Sequence, residues 1–329
     1  MARDRLPDAG ISGLPFDDVR SVLRHFPDFD ETAVAAARRA CAPLGSLGDL
    51  AAWLVGWRGL DFRLNRIQVA VYISLVNAGG TEVDEPALRQ AQDFLADVAG
   101  GGRPLSQLAL VHGAGLNAYD LALEVPTGDI TCGAAMDERE CAGAMAFGME
   151  AIAGGPDVMV VARAGSGGDI ASAAVLGLIY PDMANRLIAH FCAAGDTRLE
   201  QVIACHRLAG TDPFELLRRV GSRDMAAIAG VIMAARTQRI PVVLGGIECL
   251  TVCALLEQAG TGNTAHCLAA HRGDGVEAEL VERLDLLPVC ADDLGGEPGA
   301  AAGIAIGTLK SAAAAAGPLL QHLQKMNAE

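Results

Sequence analysis

Short, nearly continuous apolar runs alternate along this chain with helix-like stretches of ten or more residues. Three of the runs, over residues 68–76, 157–162 and 240–244, have the composition of strands buried on both faces. Such strands are typical of parallel sheets, whose faces are covered by helices. The sequence therefore predicts an α/β fold with a doubly wound, Rossmann-like, mostly parallel sheet flanked by helices.

Helices are predicted between and around these strands. Asp137 and Glu140 have the spacing of a capping box for a helix over 137–153. A further strand is expected over 116–123, while residues 108–111 fit either a helix or a strand. The other expected helices cover residues 87–99, 169–178, 183–192, 213–220, 223–235, 250–258, 276–284 and an alanine-rich segment near the end of the chain.

The helical segments suggest three parts. Residues 1–60 form an N-terminal helical region, which makes a small lobe with C-terminal helices over residues 300–329. Residues 61–299 form the α/β substrate-binding domain. A domain of this length buries a sizeable core.

The net charge of −15 limits the choice of partners. The chain has 40 acidic and 25 basic residues, without a basic cluster, and only 4% of its residues are aromatic. Nucleic acids and anionic membranes bind to basic faces, and single-stranded nucleic acid also needs stacking aromatics. We therefore expect neither as a partner, whereas a small phosphate ester can bind in a locally positive pocket.

The chain has no sequence signal for export or membrane insertion. No apolar segment follows residues 1–5, and the most apolar window, residues 300–316, contains Lys310 and is expected to be too short and too weakly hydrophobic to span a bilayer. Nine scattered cysteines without a C-x-x-C pair are expected to be reduced thiols. These features predict a cytoplasmic protein.

Four residues have the formal spacing of a zinc site, namely Cys249, Cys253, His266 and His271. The two cysteines, however, are four residues apart in a predicted helix and not on the hairpin of a zinc knuckle. We therefore expect no metal site and no cofactor.

The first glycine-rich loop at a strand end contains Gly165, Ser166, Gly167 and Gly168. In open α/β sheets, ligands bind beyond the carboxyl ends of the strands. Backbone N–H groups at such a loop suit a phosphate, and Arg163 adds a positive charge. The alternative is a tight turn in which the nearby Asp169 caps its own helix.

Two further loops offer a carboxylate. Gly245 and Gly246 precede Glu248, which suits acid–base work or binding of a ribose hydroxyl, or else is a first-turn helix acid. Gly295 and Gly296 precede Glu297, which is either a catalytic group or a helix cap. The glycines at 299, 303 and 307 form a flat helix face for close packing. His271, beside Arg272, either binds an anion or is solvated.

Several segments together resemble the nicotinate-nucleotide:dimethylbenzimidazole phosphoribosyltransferases of cobalamin biosynthesis. Order and spacing agree from about Leu14 to Ala315. The similar segments are D-I-T-x-G-x-A-M at 129–136, D-P-F-E-L-L-R-R-V-G at 212–221, A-A-I-A-G at 226–230, R-I-P-V-V-L at 239–244, H-C-L-A-A-H at 266–271 and L-G-G-E-P-G-A-A at 294–301.

The resemblance implies a homodimer that moves the phosphoribosyl group of nicotinate mononucleotide onto a benzimidazole nitrogen and releases nicotinate. This chemistry needs a carboxylate that takes the base's proton, electrostatic support for an oxocarbenium-like ribose and a phosphate cradle.

Three loops depart from the family pattern. The family's G-E-M-G-I-G-N-T-T is A-R-A-G-S-G-G-D-I here, so Arg163 stands in place of a glutamate. The family's D-G-F is Gly245-Gly246-Ile247. Its L-G-E-G-T-G, which carries the general base, is L-G-G-E-P-G, which moves the glutamate by one position to Glu297.

Three hypotheses follow: an active transferase with its own base or donor, a catalytically silent paralogue that binds a ligand or pairs with an active relative, and a recruited binding protein. The expected partner is a small nucleotide or base, and the assembly is a homodimer or a heterodimer with a paralogue. Glu297 and Glu248 are the catalytic candidates. The candidates for substrate or phosphate binding are Arg163, Gly165, Ser166, Gly167, Gly168, Gly245, Gly246, Gly295, Gly296 and His271.

Overall fold

Six strands form one parallel sheet in the order β2-β1-β3-β4-β5-β6. The computed structural model describes residues 12–79, 85–208, 210, 212–291 and 297–326. The strands are β1 (Ile67–Ile73), β2 (Gly115–Asp120), β3 (Val158–Ala164), β4 (Val242–Gly245), β5 (Cys267–His271) and β6 (Pro288–Cys290).

Fourteen α-helices lie within the described residues. In chain order they are α1 (Pro15–Leu23), α2 (Glu31–Cys41), α3 (Ser46–Arg58), α4 (Glu85–Ala99), α5 (Pro104–Val111), α6 (Glu138–Met149), α7 (Gly168–Ile179), α8 (Ala184–Phe191), α9 (Arg198–His206), α10 (Pro213–Val220), α11 (Arg223–Thr237), α12 (Ile247–Gln258), α13 (Gly275–Arg283) and α14 (Ala300–Met326).

Both faces of the sheet are covered, which confirms the predicted doubly wound α/β fold. Alternate residues of β3 point to opposite faces: Met159 and Val161 enter one core, and Val158 and Val160 enter the other. Helices α2 to α5 and α14 cover the second core, while α1 and α6 to α13 cover the first. Two buried faces explain why the central strands are apolar throughout.

The local predictions differ from the structure at several points. Residues 108–111 belong to α5, which starts at Pro104. Strands β5 and β6 and helix α9 were not predicted, because β5 reads C-L-A-A-H, without β-branched residues, and β6 has only three residues. Asp137 caps α6 as expected, accepting from the Glu140 N–H, but the Glu140 side chain pairs with Arg223 and does not close a capping box.

Helix α14 is longer than the apolar window that predicted it. By length and composition it is able to cross a membrane, so the expectation that this segment is too short is wrong. Its buried side packs against α3, β4 and β5, as the core helix of a globular fold does. Helices α2 and α3 contact α14, whereas α1 contacts α6 and α11 on the other face. The division into lobes stays a prediction.

Candidate functional site

The carboxyl ends of β1 and β3 mark the point where the sheet changes direction. From β1 the chain runs outward to β2 and then returns to β3 on the other side of β1. The connections after β1 and β3 leave in opposite directions. In doubly wound sheets this arrangement opens a crevice. The loop over 74–79 follows β1, the loop over 165–168 follows β3, and the Val76 N–H donates to the Ser166 carbonyl at 3.1 Å.

A cleft of about 740 Å³ lies at this point, and we call it the switch-point cleft. It is bounded by Gly165 and Ser166, by α4, by Arg103 and by Glu297 with Pro298. A smaller pocket of about 240 Å³ shares Ala87 and Ser166 with it and is lined by residues 75–79, Gly167 and Arg198. The first glycine-rich loop therefore meets Glu297 and Pro298 at one site.

Glu297 lies at the cleft with an arginine beside it. Its Oε1 is 3.2 Å from the Nε of Arg103, and 37% of its side chain is exposed. The Arg103 guanidinium lies 4.4 Å from the centre of the Phe94 ring, and its Nη1 is 4.0 Å from Asp97 Oδ2. Glu297 is thus held in place while still open to a ligand. Gly295 and Gly296 lie outside the described residues.

The glycines after Glu297 bring α14 close to α5. A Cβ at Gly303 would be 2.9 Å from Leu108, and one at Gly307 would be 2.6 Å from the His112 ring. At Gly299, φ is +76°, and a Cβ there would be 2.6 Å from Leu105. The predicted flat helix face is confirmed, and this packing brings Glu297 near Arg103, which directly precedes α5.

The loop after β3 needs its glycines for close packing. Gly165 has φ of +112°, and a Cβ there would overlap the Ser74 carbonyl; one at Gly167, with φ of +79°, would be 2.5 Å from the Val76 carbonyl. Gly167 is the N-cap of α7, so the alternative that Asp169 caps this helix is wrong. Glycine has no side chain to accept from the first-turn N–H groups, which leaves them available to an anion.

Arg163 lies beneath this loop and does not line the cleft. Its side chain is 3% exposed, and both Nε and Nη2 are 2.7 Å from Asp224 Oδ2. Its guanidinium also donates hydrogen bonds to the carbonyls of Gly165 and Ser74. This placement differs from the phosphate contact expected of Arg163. A Cβ at Gly168 would overlap the guanidinium, so this glycine makes room for Arg163.

Glu248 lies beside this buried ion pair, with 22% of its side chain exposed, and does not line the switch-point cleft. It lies in the first turn of α12, with Oε1 3.7 Å from Arg163 Nη1, and burial raises its pKa above the ordinary value although Arg163 opposes this. Gly246 is the N-cap of α12, with φ of +104°. A Cβ at Gly245 would be 2.9 Å from the Val161 carbonyl and 3.0 Å from Ala302, so Gly245 lets α14 approach the sheet.

His271 is the last residue of β5 and is buried. Its Nδ1 accepts from the Gly273 N–H at 3.2 Å, and its Nε2 is 3.5 Å from Glu277 Oε1. It does not line the switch-point cleft, and its burial differs from the solvated alternative. Its predicted role in binding an anion stays a prediction.

Sequence reasoning missed Arg103 and Phe94 of the switch-point cleft and Arg198 of the smaller pocket. Arg103 follows three glycines and directly precedes Pro104. This pattern indicates a chain turn and places a positive charge at the start of a helix. Asp129, in the D-I-T segment, accepts from the Gly79 N–H at 3.0 Å and from Thr131. Burial raises the pKa of Asp129, but these hydrogen bonds outweigh it and hold the pKa below its ordinary value.

The four residues with zinc spacing do not converge. His266 precedes β5 and His271 ends it, which separates them by about 16 Å at 3.3 Å per residue. His266 Nε2 donates to the Ile232 carbonyl at 2.9 Å, and the Cys249 thiol lies 3.6 Å from the Val161 carbonyl. These two side chains make their polar contacts to backbone carbonyls within the core.

His266 is expected to make the protein sensitive to acid. Burial and the neighbouring Arg236 lower its pKa from 6.5 to about 3. The unfolded chain therefore binds this proton below pH 6.5 while the folded protein does not, so stability falls as the pH drops from 6.5 towards 3, by a total on the order of 5 kcal/mol. Denaturant unfolding between pH 7 and pH 4 should show a shallower loss for His266→Gln than for wild type.

The matched control is His25→Gln, because His25 is exposed, follows α1 and has its ring Nδ1 2.9 Å from the Ser21 carbonyl. Equal slopes for wild type and His266→Gln would contradict the assignment of this acid sensitivity to His266.

Comparison with known proteins identifies the family. A family model described as phosphoribosyltransferase matches residues 27–321. The nicotinate-nucleotide–dimethylbenzimidazole phosphoribosyltransferase of Sinorhizobium fredii is 38% identical over 331 aligned positions, covering 95% of this chain and 97% of that protein. The protein of the same name from Agrobacterium fabrum is 38% identical over 321 positions, covering 92% of this chain and 93% of that protein.

A solved structure agrees at the level of the fold. The crystal structure of the Thermus thermophilus protein of that name superposes with a TM-score of 0.71 at 23% identity and covers 89% of this chain and 96% of that one. The family model covers most of the chain, and the identity to the relatives extends over nearly all of it. The chain therefore belongs to the phosphoribosyltransferase family that contains the nicotinate-nucleotide–dimethylbenzimidazole enzymes.

Proposed function

We propose that this protein transfers the phosphoribosyl group of nicotinate mononucleotide to a benzimidazole-type base. The names of its relatives supply the reaction class. The observation that carries the proposal is the position of Glu297, a partly exposed carboxylate at the switch-point cleft beside the glycine loop that follows β3. This transfer requires a general base and a phosphate-binding site next to each other.

In the proposed reaction, a nitrogen of the base attacks C1′ of the ribose as the bond from C1′ to the nicotinate nitrogen breaks. The proton of the attacking base passes to Glu297, and nicotinate leaves. Arg103 keeps the Glu297 carboxylate directed at the cleft. The first-turn N–H groups of α7 and the Ser166 hydroxyl bind the phosphate, because a helix N-terminus stabilises an anion.

A second candidate is a catalytically silent member that binds the nucleotide or the base. One observation favours it: Arg163, the cation at the end of β3, is already neutralised by Asp224, so it adds little positive potential at the cleft. In either case we propose a cytoplasmic location, and a homodimer or a heterodimer with a paralogue as the assembly.

The test is release of nicotinate. The purified protein is incubated with nicotinate mononucleotide and a panel of benzimidazoles and phenols, and nicotinate is followed by chromatography. Release that depends on the acceptor is expected. If no acceptor gives release at high protein concentration while calorimetry detects binding of the mononucleotide, the silent member replaces the transferase as the function.

A further inference from the structure

Arg163 connects four elements around the switch-point cleft. It stands near the end of β3, and its Nη2 donates to the Ser74 carbonyl at 3.3 Å, in the loop after β1. Its Nη1 donates to the Gly165 carbonyl at 3.0 Å, in the loop after β3. Asp224 comes from the first turn of α11, and Glu248 from that of α12.

The two carbonyls belong to the loops that bound the ligand space. Residues 75–79 line the smaller pocket, and Gly165 and Ser166 line the main cleft. The hydrogen bond from Val76 to Ser166 joins the same two loops immediately beyond Arg163. A planar guanidinium presents five donors in a fixed fork, so one side chain can hold both loops at once.

Asp224 keeps the guanidinium in this orientation. Asp224 is fully buried, and Ser222 donates to its Oδ1 while Arg163 binds its Oδ2. Separating the two groups of such a buried ion pair leaves an uncompensated buried charge, so the pair holds both side chains in position. Gly168, without a Cβ, lets the first turn of α7 lie directly on the guanidinium. The loop after β3, the first turn of α7 and the Arg163–Asp224 ion pair are therefore mechanically coupled.

We propose that Arg163 is a positioning residue that joins the loop of the switch-point cleft to the loop of the smaller pocket beside it, and thereby sets the affinity of this site for a phosphorylated ribose donor. Arg163 acts through the loop geometry and has no contact with the ligand. The choice of donor rests on the proposed function, whereas the joining of the loops does not.

The first test is hydrogen exchange of the full chain. In Arg163→Lys a single ammonium keeps the charge but cannot span Asp224 and both carbonyls. The amides of Val76 and Ala171, which donate to the Ser166 and Gly167 carbonyls, are expected to exchange at least about tenfold faster than in wild type, because protection depends on the local opening free energy. Arg58→Lys is the control, since Arg58 pairs with Asp157 at the opposite end of β3, at 3.2 Å.

The second measurement separates positioning from general weakening of the fold. For Arg163→Lys we expect the KM or Kd for nicotinate mononucleotide to rise about tenfold, with a much smaller change in kcat, because loose loops bind the donor less well. Asp224→Asn, which keeps the shape but loses the charge, should have a smaller effect in the same direction. Arg58→Lys should leave donor affinity as in wild type.

Two outcomes overturn the proposal: wild-type exchange of both loops in Arg163→Lys, or the same changes in Arg163→Lys and Arg58→Lys. Failure of the proposed function has a different signature. If the wild-type protein releases no nicotinate, the transferase assignment falls, but exchange of the loops still decides the role of Arg163.

Discussion

Replacing Glu297 with glutamine is expected to lower kcat for nicotinate release by about 10²–10⁴-fold, the contribution typical of a positioned general base. Glutamine keeps the size of the side chain but cannot accept the proton of the attacking base. The contact between residue 297 and Arg103 is weakened, but the substitution introduces no steric clash. The KM for nicotinate mononucleotide should therefore change less than kcat. Initial rates over a range of donor concentrations measure both.

Asp97→Asn is the matched control for this substitution. Asp97 also lines the switch-point cleft and also lies within 4.0 Å of Arg103, but it belongs to the last turn of α4 and its side chain is 56% exposed. We expect its kcat to remain within about threefold of wild type, as for a charge outside the reacting group. Wild-type kcat in Glu297→Gln would show that Glu297 is not the general base.

Gly148→Ala is expected to destabilise the fold strongly. Helices α6 and α11 cross where two glycines face each other's backbones: a Cβ at Gly148 would overlap the Ala227 carbonyl, and one at Gly230 would overlap the Met145 carbonyl. Backbone atoms of two packed helices cannot yield as a flexible side chain does. We expect the free energy of unfolding to fall by about 1–3 kcal/mol or more, as in overpacked cores, measured by denaturant unfolding.

Gly143→Ala on the same helix is the control. Gly143 is exposed, and a Cβ there would meet nothing within 4 Å. Alanine is the better helix former, so this variant should be more stable than wild type by about 0.5–1 kcal/mol. If both alanine variants shifted stability in the same direction, the close helix crossing would not be the cause.

The strands were predicted where composition alone identifies them. β1, β3 and β4 carry runs of valine and isoleucine that fit strands buried on both faces, and a parallel sheet follows from the helices between them. β5 was missed because cysteine, alanine and histidine have no strong β signal, and its strand state comes from pairing with β4. Tertiary context overrides propensity in such segments.

For the candidate site, the general location was predictable and its internal arrangement was not. Glycine-rich loops after strands indicate the carboxyl edge of the sheet, and the cleft is there. The individual charges were harder to predict. Arg163 and Glu248 both stand near strand ends, yet Arg163 forms a buried ion pair with Asp224 and Glu248 lies beside that pair. Nothing in a local pattern distinguishes an arginine that faces a ligand from one that faces a buried carboxylate.

The sequence by itself determined the α/β class, the parallel sheet and the family, because these depend on hydrophobic pattern and on motif order along the chain. Only the tertiary structure decided which charges meet: Glu297 with Arg103, far earlier in the chain, and Arg163 with Asp224. Such pairs depend on how α5, α11 and α14 pack against the sheet. Packing is a property of the whole fold, so the same residue types in the same order leave the partner of each charge undetermined.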